Sequence, residues 1–309
     1  MATAGVIVVG SVNVDLTATG SPVPSAGETR TGRDFAMGLG GKGANQAVAA
    51  ARAGAPTQLV GGVGTDAFAR VTLDALRAAG VGLDQLLEVD GATGIAHIRV
   101  DSASGENSIF VIPGANAQLT PERAVASLRA LAPRASVVLL QLEVPLDTVV
   151  AVADAAGGLG LRVVLDPAPA QELPESLWRA TSLVTPNEHE AAIYSGVEIS
   201  DDASAERAGR WFLDRGTGAA LITRGAAGAS LVTFGATARV PPYPIDAVDS
   251  TAAGDAFAGH LGAALAAGLT LPDAVARAMA AGALAATRPG ASASIPTGDE
   301  VSEFLAGRG

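Results

Sequence analysis

Gly38-Leu39-Gly40-Gly41-Lys42-Gly43-Ala44-Asn45-Gln46 opens on clustered glycines and runs directly into an alanine-rich stretch that stops at Gly54. Lys42 is the only lysine among the 20 lysine and arginine residues of this 309-residue chain. A compact, flexible ammonium differs from a planar guanidinium, so a chain that otherwise uses arginine has kept lysine here for a reason. Flanking glycines let backbone approach a ligand closely. Residues 38–46 therefore read as a ligand-contact loop that opens a helix from Lys42 to Ala53, with Gly54 suited to its C-terminal end. The run also fits G-x-G-x-x-G, but that dinucleotide fingerprint follows the first strand directly, and here the first strand, Val6–Val9, lies far upstream. A Walker A loop fails because Gly43 follows Lys42 where serine or threonine is required.

Working outward, Val6-Ile7-Val8-Val9-Gly10 reads as a short buried strand ending in a turn. Leu59-Val60, Val137–Leu140, Val163–Leu165 and Leu221–Thr223 are continuous apolar runs of the kind found in parallel strands covered on both faces. Helical stretches are expected near 67–79, 121–132, 147–157, 187–195 and 203–215, and from Ala252 to about 286 with a break at Thr270-Leu271-Pro272. Strands alternating with helices imply an α/β fold, with a Rossmann-like, mostly parallel central sheet flanked by helices. Segments 11–38 and 91–112 break the rhythm. Their extended pieces, including Ile95–Val100 and Ser108–Ile112, are expected to pair as a small antiparallel β-sheet lid on a single unit spanning residues 1–309.

A hydrophobic content of 49% against 17% charged residues excludes a disordered chain. Zero cysteines exclude a disulfide scaffold and thiolate metal sites, and a cytoplasmic protein is the simplest reading. Met1–Gly5 has no basic leader character, and no apolar run is long enough to cross a bilayer. The net charge of −11 disfavours nucleic acid or an anionic membrane as partner. Any phosphate ligand must be drawn in by a local site against the global field.

A second segment, Asp249-Ser250-Thr251-Ala252-Ala253-Gly254-Asp255, supplies such a site. The small residues at 252–254 leave the N–H groups of a helix start accessible to an anion. An aspartate there could take a proton from an attacking hydroxyl, or could simply complement the helix dipole. Asn13 and Asp15, two apart on an extended segment, point to one face and suit adjacent sugar hydroxyls or an ordinary Asx turn. Asn187 and Glu190, three apart on a helix, suit a water-mediated Mg²⁺ contact or a helix cap. His97, His189 and His260 show no metal spacing, and no G-x-S-x-G nucleophile elbow occurs.

With these residues in view, the chain resembles the ribokinase-type carbohydrate kinases, the PfkB family. The similarity covers Gly10–Asp15, Gly27-Glu28-Thr29, Gly40–Ala47, Gly105-Glu106-Asn107, Pro113–Asn116, Gln141–Glu143, Asp166–Ala170, Thr185–Glu188, Asp249–Asp255 and Thr287–Ala291. The resemblance implies transfer of the γ-phosphoryl of ATP to O5 of D-ribose, with Asp255 as general base and the N–H groups of Ala252, Ala253, Gly254 and Asp255 as an anion hole. It implies a sugar site of Asn13, Asp15, Gly41, Lys42, Asn45 and Glu143. Asn187, Thr223, Gly225, Gly228 and Gly254 would line the ATP site, with Glu190 near Mg²⁺. Asp249, Thr251, Ala285, Arg288, Gly290 and Ser294 match a K⁺ site built mostly from carbonyls. It further implies a β-lid that often pairs two subunits into a homodimer. Ala252 departs from the family's usual Gly-Ala-Gly-Asp, Thr251 from an aliphatic residue, and Arg224, Ala226 and Ala227 from a Leu-Gly-Ser-type turn. His97 and Ile98 fall in the lid, where sugar specificity can shift. Competing readings are a kinase of deoxyribose, fructose or adenosine, a non-catalytic sugar-binding relative, and a nicotinamide-dependent sugar dehydrogenase using Gly38–Gly43.

Overall fold

The structure is a computed structural model that describes residues 4–308, so Met1–Thr3 of the leader reading lie outside the described residues. In chain order the N-terminal elements are β1 (Gly5–Val9), β2 (Asn13–Gly20), β3 (Asp34–Gly40), α1 (Lys42–Arg52), β4 (Thr57–Val60), β5 (Gly62–Val63) and α2 (Ala67–Ala78). There follow β6 (Leu87–Glu88), β7 (Gly94–Asp101), β8 (Asn107–Ile112), α3 (Pro121–Leu131), β9 (Ala135–Leu140), α4 (Leu146–Gly158), β10 (Arg162–Leu165), α5 (Glu175–Ala180) and β11 (Leu183–Val184). The chain ends with α6 (Glu188–Ser195), α7 (Asp202–Asp214), β12 (Ala219–Thr223), β13 (Ala229–Thr233), β14 (Thr237–Val240), α8 (Ala253–Ala266), α9 (Leu271–Ala286) and α10 (Gly298–Ala306).

Eight strands form the main sheet in the order β14-β13-β12-β11-β10-β9-β1-β4. It is parallel from β4 to β12, and the β13–β14 hairpin closes one edge antiparallel. Alternation along each strand explains the unbroken apolar runs. Val6 and Val8 of β1 join a core shared with α1, α2, α8 and α9, while Ile7 and Val9 join the opposite core with α3, α4 and α7. Both faces are therefore buried, as the sequence pattern requires.

Helix α8 is buried nearly all round, and its small residues admit its neighbours. A Cβ on Gly259 would overlap Ala49 Cβ and the backbone of Gln46 and Ala50, so α1 and α8 pack at glycine distance.

The second sheet has the order β3-β2-β7-β8. The expected antiparallel pairing holds for β2–β3 and β7–β8, but the central β2–β7 pair is parallel. The chain between them runs through α1, β4 and α2, and such a crossover returns it in the same direction. Asp15 is in register with Ala96 and Leu16 with His97. Ala96 and Ile98 thus share the face of Asp15, whereas His97 points away from it.

Gly259→Ala is expected to push α1 from α8 and lower stability by about 1–3 kcal/mol, measured as the shift in urea midpoint at unchanged slope.

Candidate active site

The carboxyl ends of parallel strands are where an open α/β sheet offers its crevice, and the polar residues of this chain converge there. Gly10 and Ser11 follow β1, Gln141 and Glu143 follow β9, Asp166 follows β10, Thr185 follows β11, and Thr223 ends β12.

Helix α1 begins after Gly41, whose φ of 86° and closeness to Asn13 N and Ser11 O leave no room for a side chain. No side chain from its own segment caps the helix. Glu143 does so from the other side of the cleft, accepting from Lys42 N at 2.9 Å and Ser11 Oγ at 2.6 Å. Lys42 Nζ stands 3.2 Å from Asp166 Oδ2 and 3.9 Å from Asp255 Oδ1. Burial opposes its charge, but Asp166, Asp255, Glu143 and Glu190 outweigh that and hold its pKa above the ordinary lysine value.

Asp255 is buried in the first turn of α8. Asn45 Nδ2 donates to its Oδ2 at 3.0 Å, and Gln46 Nε2 to its Oδ1 at 3.2 Å. Gln46 Nε2 also reaches Asp166 Oδ2 at 2.9 Å, and Gln141 Nε2 fixes Gln46 by donating to Oε1 at 2.6 Å. Burial pushes the Asp255 pKa up to about 6, with Lys42 pulling down and Asp166 pushing up. Burial, then Glu143 and Asp255, raise Asp15 to about 7. Asn13 is buried on β2 and accepts from Asn116 Nδ2 at 2.7 Å, which leaves its own amide N–H groups to donate.

The start of α8 is bare. Ala252 adopts φ 58°, the only positive φ of a non-glycine among the described residues, and no side chain caps the helix. A left-handed alanine costs roughly 1–2 kcal/mol, and such strain is found where function demands it. Ala253 N–H is engaged by Ser250 O at 3.1 Å. Of the four N–H groups in the expected anion hole, this turn engages one, and those of Ala252, Gly254 and Asp255 have no protein acceptor among the described residues.

A cavity of about 600 Å³ runs from Lys42 and Asp166 past Asn187, Glu190, Thr223, Gly225 and Gly228. It ends against an apolar wall that includes Tyr243, Phe257, Met279 and Ala286, with Ala253 and Gly254 on its side. A polar mouth and an apolar end of this size fit a nucleotide. Asn187 caps α6 and Glu190 completes the capping box, so the cap reading of Asn187 holds while both residues also face the cavity. Burial, then Asp166, raise the Glu190 pKa. The Asp166 and Glu190 carboxylates on one cavity are oxygen donors of the kind Mg²⁺ takes.

Asp249 joins two loops, accepting from Thr251 N at 2.9 Å through Oδ1 and from Gly290 N at 2.9 Å through Oδ2. Among the other residues of the expected cation site, Ala285 is buried in α9, Ser294 Oγ turns to Ala291 O, and the Arg288 side chain runs to Glu300 on α10. Ala285 and Arg288 then have only main-chain carbonyls to offer, oxygen donors of the kind a hard cation takes. The sequence reading gave no role to Gln46, Gln141, Asp166 or Asn116. Their sole signal was membership of the quoted motifs.

Strands, loops and a bare helix start surround one nucleotide-sized cleft. The chain belongs to the pfkB family of carbohydrate kinases, whose family model matches residues 3–298. It is 39% identical over 299 residues to the ribokinase of Haemophilus influenzae, covering 96% of this chain and 97% of that one. It is 34% identical over 305 residues to the deoxyribokinase of Salmonella typhi, covering 97% and 98%. The structure of Arabidopsis thaliana ribokinase complexed with ribose and ATP superposes with a TM-score of 0.91 at 29% identity, covering 98% and 99%. This chain is a sugar kinase.

Because the folded pKa of Asp15 lies near 7 and the unfolded one near 3.8, the native state holds the extra proton between those values. Stability from this group therefore falls as pH rises through that window. Asp15→Asn is expected to gain melting temperature over the parent progressively from pH 4 to 7, read by thermal denaturation at matched ionic strength.

Proposed function

We propose that this chain transfers the γ-phosphoryl group of ATP to the O5 hydroxyl of D-ribose. The observation that carries the reading is a buried carboxylate, Asp255, sharing a helix start with three free N–H groups, on the same cleft as Lys42. The sugar lies against Asn13, Asp15, Gly41, Lys42, Asn45 and Glu143. Asp15 and Glu143 accept from its hydroxyls, and the free Asn13 amide donates. Asp255 takes the proton of the attacking hydroxyl. Phosphoryl transfer is governed by positioning and charge, so the N–H groups of Ala252, Gly254 and Asp255 and the Lys42 ammonium receive the charge that spreads over the phosphoryl oxygens. Asn187, Thr223, Gly225 and Gly228 hold the nucleotide. Glu190 and Asp166 would hold Mg²⁺, which would neutralise the phosphates, and the Asp249 loop would hold K⁺, which would stiffen the turn before Ala252.

Residues 1–309 act as one catalytic unit, and segments 11–38 and 91–112 form its lid, which keeps water from the phosphoryl group. Phe35, Met37, Ile109 and Phe110 are about half or more exposed on that sheet, an apolar surface that favours self-association as a homodimer. No helix among the described residues is long and apolar enough to cross a membrane, in keeping with a cytoplasmic kinase.

An ADP-release assay across ribose, deoxyribose, fructose and adenosine is expected to give the highest kcat/KM with ribose, with an acid limb near the Asp255 pKa of about 6. Asp255→Asn should lose about 10²–10⁴-fold in kcat while calorimetry still records ribose binding. Turnover near the parental rate in that variant would remove Asp255 from the mechanism. Replacing Na⁺ by K⁺ at constant ionic strength is expected to raise the rate, and indifference to the exchange refutes the cation loop.

A further inference from the structure

The turn between α9 and α10 is held by its carbonyls. Arg52, in the last turn of α1, donates through Nη1 to Ser292 O at 2.8 Å and to Ile295 O at 2.7 Å. His260 Nε2 meets Pro296 O at 3.1 Å, and Arg277 Nη2 donates to Gly298 O at 2.9 Å. Three helices, α1, α8 and α9, thus grip three carbonyls of one turn and that of Gly298, the first residue of α10. Among the described residues Arg52 has no carboxylate partner, and the neighbouring cation, Arg288, is paired with Glu300. The Arg52 charge is spent on main-chain dipoles, in the manner of a bound cation.

The other end of this turn is fastened to the reaction centre. Gly290 N donates to Asp249 Oδ2, whose partner oxygen holds Thr251 N, immediately before the left-handed Ala252. Helix α1 carries Lys42, Asn45 and Gln46 at its beginning and Arg52 at its end. One rigid element therefore touches the sugar side directly and the anion-hole side through the turn.

We propose that Arg52 is a positioning residue, a cation built into the chain that fixes the 288–295 turn and, through Asp249, aims the free N–H groups at the start of α8. The proposal rests on the phosphotransfer reading and assigns one more residue to it. Its effect falls on the transition state, because misplacement of such donors by about 1 Å costs on the order of 10²-fold in rate, whereas the sugar contacts at the other end of α1 are untouched.

The test measures kcat, ribose KM and melting temperature for Arg52→Met, Arg52→Lys and Arg52→Ala, the last with and without added guanidinium chloride at millimolar concentration. Arg52→Met is expected to lose about 10–100-fold in kcat with ribose KM changed by less than about twofold, the signature of an interaction felt in the transition state. Guanidinium should restore part of the kcat of Arg52→Ala. A folded Arg52→Met with kcat within about twofold of the parent, or with a loss confined to KM, overturns the proposal. Should Arg52→Met not fold, Arg52→Lys decides. Its ammonium replaces a fork that spans two carbonyls, so reduced kcat at unchanged KM supports the assignment and parental kcat overturns it. An active parent beside an unaffected variant sinks only the Arg52 role, whereas a parent inactive toward every sugar sinks the phosphotransfer reading.

Discussion

Four carboxylates, Glu143, Asp166, Glu190 and Asp255, act on the single ammonium of Lys42, while Asp15 is buried against Glu143 and Asp255. Taking charges out of water is costly unless each is paired and hydrogen-bonded. Amides are the response: Asn45 donates to Asp255, Gln46 bridges Asp166 and Asp255, and Gln141 holds Gln46 in place. Even so the charges do not balance, and Asp15 and Asp255 sit with pKa values near neutrality. A proton acceptor poised near the working pH is what general-base chemistry asks for. The same imbalance makes the cleft receptive to hydroxyl donors and to cations.

That arrangement depends on pieces brought from far apart in sequence. Glu143 and Asp166 come from two strand-end loops, and Lys42 and Asp255 from two helix starts. The parallel sheet aligns those loops on one edge, and close packing of α1 on α8 at Gly259 sets the distance between the two helices that carry Lys42 and Asp255. A lysine at 42 can place one point charge between two carboxylates. A guanidinium fork suits paired planar acceptors, whereas Lys42 Nζ reaches one oxygen of Asp166 and one of Asp255.

Much of this was legible in the chain itself. Continuous apolar runs marked the parallel strands, and glycine punctuation marked the loop before α1, because burial on both faces and close backbone approach leave plain compositional traces. The β13–β14 hairpin, α5 and α10 left weaker traces. Strand β14, α5 and α10 are short elements with much exposed surface, and β13, though buried, is only five residues long, so their patterns differ little from loop. The parallel pairing at the centre of the second sheet was hidden too, since pairing direction is decided by the path of the intervening chain. Asp255 announced itself by its position at a helix start. Gln46 and Gln141 did not, because an amide that organises two carboxylates looks in sequence like any other glutamine. The engagement of Ala253 N–H by Ser250 was equally silent, being a property of one turn.

A chain with one lysine has one side-chain primary amine, and here that amine lies inside the cleft, hydrogen-bonded to Asp166. Reagents that acylate amines find no lysine on the outer surface to compete with it. Modification of the side chains is then a report on a single position, slowed by the raised pKa that keeps it protonated and by whatever fills the space in front of it. Ubiquitin-like tagging and lysine-directed crosslinking have, for the same reason, no exposed side-chain handle on this protein.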